Sequence, residues 1–222
     1  RFLSMNILFI HRESGYVYGG AENHIRDVSR YLANRGHKVT ILAEKGKINP
    51  LRVLENRKNI KLVYLPTLGL AHSIKSRKFK SNVSGKINRL RIISKNLRLL
   101  ANLAWMVKSS LWVLSHRGFD IISVHKMVDT FSLKILNRFV RLPFVESLEG
   151  YDFIEAENAK DVRFVTTISK YICDVCKNVH GFDPFLIPIG VDIPRFSKVD
   201  RRSVISIKKY HCPNNELLVL NV

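Results

Sequence analysis

Short apolar runs alternate along this chain with amphipathic stretches of helical period, and that alternation limits the fold more than any other feature. Runs of strand length occur at Asn6–His11, Lys38–Ala43, Ile60–Leu65, Asp120–His125, Pro143–Leu148, Arg163–Ile168 and Phe185–Ile189. Helical periodicity fills Ala21–Arg35, about Ile87–Ser115, Asp129–Arg141 and Ser169–His180. Strands alternating with helices predict an α/β fold, a Rossmann-like parallel β-sheet with helices on both faces. Gly36 and Gly181 stand at two helix stops, where positive φ ends a helix well. Ligands of such sheets gather at the carboxyl ends of the strands, so the loops after His11, Leu65, His125, Leu148 and Ile168 are expected to share one cleft.

The first of those loops holds Gly19-Gly20-Ala21-Glu22, directly ahead of a helix that opens at Ala21. Without Cβ atoms, Gly19 and Gly20 can take positive φ and let a ligand approach the backbone, while free N–H groups at the helix start attract an anion. The position suits a nucleotide-sugar or another phosphorylated ligand. From Met5, the run MNILFIHRESGYVYGGAENHIRDVSRYLANRGHKVTILA resembles the opening of glycosyltransferase family 4, retaining enzymes with a two-domain GT-B fold. The likeness covers the strand, the long loop, GGAE, a helix repeating Ile25, Val28 and Leu32, the Arg35-Gly36-His37 stop and the strand Val39–Leu42.

Later segments extend the resemblance. PFVESLEGYDF, Pro143–Phe153, is similar to the family's Thr-x-His-Gly turn followed by an acid, whose histidine faces the reacting sugar. Glu149 stands at that histidine's position and Ser147 at the threonine's, with Gly150 kept, Tyr151 beside it and Asp152 following. The resemblance makes Glu149 the candidate catalytic residue. An ionised carboxylate only accepts hydrogen bonds and repels a pyrophosphate leaving group. Glu149 is therefore either a base or hydroxyl ligand toward the acceptor, a sign of lost activity, or a loop residue facing water. His125 matches the second of two histidines that members carry after this strand, and Ser123 stands at the first. Ser169 fits a helix N-cap facing the cleft. FLIPIGVDIPRF resembles the family's Pro-Asn-Gly-Val-Asp turn, with Gly190 and Asp192 retained and Ile189 in place of Asn. The resemblance thus implies donor diphosphate on Gly19 and Gly20 and an acceptor near Glu149, Tyr151 and His125. No metal or other cofactor is expected, because a backbone cradle and side-chain cations can neutralise the leaving group.

Charge adds a second expectation. The formal net charge is +19, and between Glu55 and Asp120 fourteen Lys or Arg stand without an acidic residue. Lys75, Arg77, Lys78, Lys80, Arg89 and Arg91 belong to this window, which also holds Leu97, Leu100, Leu103, Trp105, Leu111 and Trp112. Cations among Leu and Trp suit an anionic membrane surface, each nearby cation contributing about 1 kcal/mol. A solvated loop joined to a core helix is the other reading. No nucleic-acid module accompanies the charge, so no nucleic-acid partner is expected. Arg98 and Lys108 bracket the most apolar window, Leu99–Val107, too short to span a bilayer. The pattern of a signal peptide is absent. The expected location is cytoplasmic, peripheral on the inner face of the membrane. Cys173 and Cys176 form a C-x-x-C, but Cys173 lies about a turn inside its helix, away from the N-terminal position that stabilises a thiolate. Both read as half-buried helix residues. No G-x-G-x-x-G occurs, against a nicotinamide or flavin enzyme.

With 222 residues, 46% of them hydrophobic, the chain suffices for one α/β domain and is about half of a two-domain transferase. Residues 5–196 are expected to form the N-terminal domain. Residues 197–222 read as a linker, a short helix ending near Tyr210, and the strand Glu216–Val222 (ELLVLNV), the opening of an otherwise missing nucleotide-sugar-binding C-terminal domain. The function expected is sugar transfer from a nucleotide-sugar to a lipid-linked or membrane-proximal acceptor, with this fragment alone inactive. The alternative is a non-catalytic membrane-surface binding protein derived from such an enzyme.

Overall fold

The computed structural model describes residues 3–46, 49–66, 86–190, 193 and 200–211, with backbone only at 86–95, 201, 203 and 211. The chain divides into two compact units, Arg1–Pro188 and Ile189–Val222. Within the second, the helix Arg201–His211 is described. The expected strand 216–222 lies outside the described residues, as does Cys212.

In the first unit the described strands are β1 (Asn6–Ile10), β2 (Lys38–Glu44), β3 (Ile60–Leu65), β4 (Ile121–Val124), β5 (Phe144–Leu148), β6 (Val165–Thr167) and β7 (Phe185–Leu186). They form one parallel sheet in the order β3-β2-β1-β4-β5-β6-β7. The helices are α1 (Gly20–Asn34), α2 (Lys86–Ser115), α3 (Met127–Asn137), α4 (Phe153–Ala159) and α5 (Lys170–Val175), the last continuing as a π turn to His180. This is the α/β Rossmann-like architecture that the alternation predicts. Gly36 (φ 91°) and Gly181 (φ 73°) take the left-handed conformation at their helix stops.

Helix α4 is not among the sequence-predicted elements. At seven residues it is too short for apolar periodicity to show, and its start is set by Asp152, whose carboxylate accepts from the Ile154 and Glu155 N–H groups. An N-cap of this kind stabilises a helix by about 1 kcal/mol.

The sheet separates two apolar cores. Ile7, Phe9, Val39, Ile41 and Ala43 pack with Ile25 and Ala33 of α1 and with Leu51 and Leu54. Their alternates Leu8, Ile10, Leu42, Ile122, Val124, Phe144 and Leu148 pack with Trp105 and Val113 of α2, Leu133 and Leu136 of α3, and Ala156 and Ala159 of α4. Trp105 is fully buried and its indole N–H donates to Asp129 at 2.6 Å. Trp112 stacks on His116 at 4.3 Å. Neither indole stands out as a surface anchor beside the cations.

The turn after β1 is held by buried charge. Arg12 pairs with Glu44 of β2 (Nε to Oε2, 2.5 Å) and bonds Asn102 of α2, while its backbone supports Asp129 of α3. Gly15 in the same turn has no room for a side chain, since a Cβ would lie 1.8 Å from the Glu44 carbonyl oxygen.

Glu146 sits on the even face of β5, fully buried, with no partner of good geometry for either carboxyl oxygen. Burial pushes its pKa to about 8, and burial pushes that of Asp129 to about 7. The folded protein therefore holds protons that the unfolded chain, with reference values of 4.5 and 3.8, has already released. Stability present at low pH is lost as pH rises through 7 to 8, by up to about 1.4 kcal/mol per pH unit for each such proton. Tm should fall between about pH 6.5 and 8.5, above the range in which His11 and His24 gain protons, and Glu146→Gln should flatten the fall. Melting curves that are independent of pH, or equally steep in the variant, would contradict this.

Candidate functional site

Strand parity gathers the site. Odd residues of β1 face α1, whereas even residues of β1, β4 and β5 enter the opposite core. The same alternation turns His11, His125 and Glu149, each just past its strand, toward the α1 side of the carboxyl edge. Strand order reverses between β1 and β4, where open α/β sheets take their ligands. His24 joins from the start of α1, because helical side chains lean toward the N-terminus.

Glu149 is the hub. Its Oε1 accepts from His125 Nδ1 at 2.8 Å and lies 4.0 Å from His24 Nε2. Its Oε2 is shielded from solvent and has no hydrogen-bond partner. An ionised carboxylate can only accept, so His125 Nδ1 carries a proton toward Glu149, and its Nε2 lies 3.0 Å from the Ser123 hydroxyl. His125 is buried with both nitrogens engaged, which makes it a holder of Glu149.

Around this pair stand two further imidazoles. The His11 ring meets His125 edge-on at 6.1 Å, with Nδ1 2.8 Å from Ser14 Oγ and Nε2 buried without a partner. Burial, then His125 and Lys126, lower its pKa well below the ordinary value. Burial also lowers that of His24, against the pull of Glu149. Both rings are therefore neutral at pH 7. Lys126, the N-cap of α3, acts electrostatically on His11, Glu22 and Glu155 and brings a cation to this edge.

The expected site residues are distributed unevenly. Gly19 and Gly20 open α1 as foreseen, but positive φ is not their role: Gly19 is extended (φ −156°, ψ −176°), and neither is among the positive-φ glycines. What Gly19 supplies is space, since a Cβ there would lie 2.4 Å from Glu22 Oε2. A Cβ on Gly20 would meet nothing within 4 Å. Ser147 is buried within β5, opposite Thr166 of β6. Gly150 is exposed. Tyr151 leans toward His180, its hydroxyl 3.5 Å from Nε2. Asp152 is engaged in capping α4, and Ser169 caps α5 through the Ile172 N–H. Gly190 belongs to the second unit. Asp192, Lys75, Arg77, Lys78 and Lys80 lie outside the described residues, and Arg89 and Arg91 lie on α2 with backbone alone described.

His11, His24, Glu22 and Lys126 stand at this candidate site without having been singled out from the sequence. Their signal was position: His11 closes β1, Lys126 follows β4, and Glu22 and His24 start α1, all at one edge. Cys173 and Cys176 are free thiols whose pKa values burial raises, the reverse of a reactive thiolate. His180 is spent on Glu157 at 2.9 Å. Among the described residues no group of three or more His, Cys, Asp or Glu is placed to hold a metal ion.

The Glycosyltransferase Family 4 model matches residues 18–195. No curated protein matches the sequence. Among solved structures, the chain is similar to Anabaena Alr3699/HepE in complex with UDP-glucose, at 15% identity and TM-score 0.63, covering 96% of this chain and 51% of that one. A glycosyltransferase from Rickettsia africae ESF-5 gives 14% identity and TM-score 0.58, with 96% and 51% coverage. An α,α-trehalose 6-phosphate synthase from Burkholderia multivorans gives 12% identity and TM-score 0.54, with 95% and 54% coverage. The chain thus spans about half the length of each, and the likeness is one of fold.

Proposed function

This chain belongs to glycosyltransferase family 4, and from that premise we propose that it is the acceptor-side half of a retaining glycosyltransferase. The donor is a nucleotide-sugar, the compound class solved with the Anabaena protein, and the acceptor is lipid-linked or membrane-proximal. One observation carries the reading. The N-terminus of α1 and the unpartnered Glu149 Oε2 occupy the same edge of the sheet, where the strand order reverses. The α1 N–H groups and Lys126 would receive the donor diphosphate. Glu149 would accept a hydrogen bond from an acceptor hydroxyl, with the neutral ring of His24 beside it to donate or accept, while His125 orients the carboxylate. No metal or cofactor is required by this scheme. Sugar transfer by the complete gene product, from labelled nucleotide-sugars to polyprenyl-phosphate-linked or soluble glycans, tests it. Absence of transfer from every donor would overturn it.

The membrane part of the reading, with a cytoplasmic location on the inner face, draws on two supports. One is the cationic window that includes Lys75, Arg77, Lys78 and Lys80. The other is the exposed series Leu99, Leu103, Val107 and Leu111 on α2, with Phe131 and Ile135 of α3 exposed as well. Among the described residues no helix is long and apolar enough to cross a membrane, so such contact would be interfacial. The chain should sediment with anionic vesicles and release as salt rises, since exposed charges are screened over about 8 Å at physiological ionic strength. Changing the four window cations to Ser should abolish sedimentation, and undiminished binding would sink the idea. A second reading, a non-catalytic membrane-surface protein, is favoured by Glu149 at the family's histidine position. Its signature is vesicle binding without transfer.

A further inference from the structure

The N-terminus of α1 is already answered by a carboxylate of the chain itself. Glu22 is the third residue of α1 and only 6% exposed. Its side chain folds back over the first turn, and its own backbone N–H holds it there, with Oε2 2.4 Å from the place a Gly19 Cβ would take. Oε1 lies 4.0 Å from Nε2 of the fully buried His11, the nitrogen that has no partner. A helix start, a buried imidazole nitrogen aimed at it and a glycine without a Cβ thus enclose one anion, and that anion is Glu22.

We propose that Glu22 competes with the donor's phosphate for the α1 N-terminus, so that phosphate enters only when Glu22 swings out or is neutralised. The inference rests on the donor-phosphate reading above and adds a gate to it. Two anions on one helix start repel each other, whereas the partial positive charge there serves one. Burial, then Glu13 and Glu149, push the Glu22 pKa up, while its own N–H and Lys126 hold it down. Burial holds the His11 pKa well below the ordinary imidazole value, so His11 adds no charge at neutral pH. Falling pH therefore loads Glu22 with a proton and frees the site.

The test uses this chain, isotopically labelled, with inorganic pyrophosphate as probe and the Gly19 and Gly20 amide resonances as readout. Those two signals ignore anions caught by the many surface cations. Glu22→Gln keeps the size of the side chain and removes its charge. At pH 8 the variant should bind pyrophosphate at least about tenfold more tightly than the parent, and the ratio should shrink toward pH 5.5. Equal affinities at pH 8 would overturn the competition and leave the donor-phosphate reading standing. If the Gly19 and Gly20 signals move in neither protein, both fail. Glu13→Gln removes a nearby charge outside the enclosure, and an equal gain from it would reduce the effect to a general field and overturn the proposal.

Discussion

In the proposed two-domain transferase, Glu149→Gln is expected to lower kcat by about tenfold to a thousandfold at unchanged Tm. One carboxylate oxygen holds His125 at 2.8 Å and the other has no partner. Glutamine keeps the shape and can still accept from His125 with its carbonyl oxygen, but it has neither negative charge nor basicity. The loss therefore reports charge on the acceptor hydroxyl, and it should appear in kcat more than in KM. Glu149→His separates two histories. If it preserves or raises the rate, the family's imidazole role is latent in this fold. If His raises the rate while Gln is neutral, the glutamate marks decay of the site. Unchanged rates in both variants would make Glu149 a bystander.

Arg12→Met should cost about 3–5 kcal/mol of folding stability. The guanidinium is buried between Glu44 and Asn102, so its removal leaves the fully buried Glu44 uncompensated, with Oε1 already lacking a partner. Methionine fills the volume, which confines the effect to charge. Urea denaturation of Arg12→Met, of Glu44→Gln and of the double variant closes a double-mutant cycle, and adding Glu44→Gln to Arg12→Met should restore most of the loss. A single-variant loss below about 1 kcal/mol would mean that water or a rearranged partner serves Glu44. Because Arg12 adjoins His11, the same variant should shift the His11 ring resonances.

The sheet was legible because parallel strands buried on both faces write themselves as continuous apolar runs. The site was only partly so. Gly19 and Gly20 stood out as a glycine pair ahead of a helix, and His125 and Glu149 through the family resemblance. Asp152 and Ser169 did as well, yet short oxygen-bearing side chains cap helices as readily as they bind ligands, and these two cap. Glu22 entered only as the last letter of the GGAE motif, and His24 carried no signal of its own. Only the lean of the first turn over β1 and β4 brings them to Glu149 and His11. Nor can a sequence tell whether a glycine supplies conformation or space, and at Gly19 it is space. Glu146, embedded in the run FVESL, gave no sign that burial would keep it protonated.

The strand-order reversal divides the work between two lengths of chain. The proposed donor cradle is built from β1, its turn and the head of α1, braced by β2 through Arg12 and Glu44. The proposed acceptor side is built from β4, β5 and their loops, on the other side of the seam. At the open edge, His11 and His24 meet His125 and Glu149 across that seam, above the β1–β4 pairing that joins the two lengths of chain. On the proposed assignment, substitutions between His125 and Tyr151 would change the acceptor recognised and leave the donor cradle untouched. Glu149 falls on the proposed acceptor side of that seam.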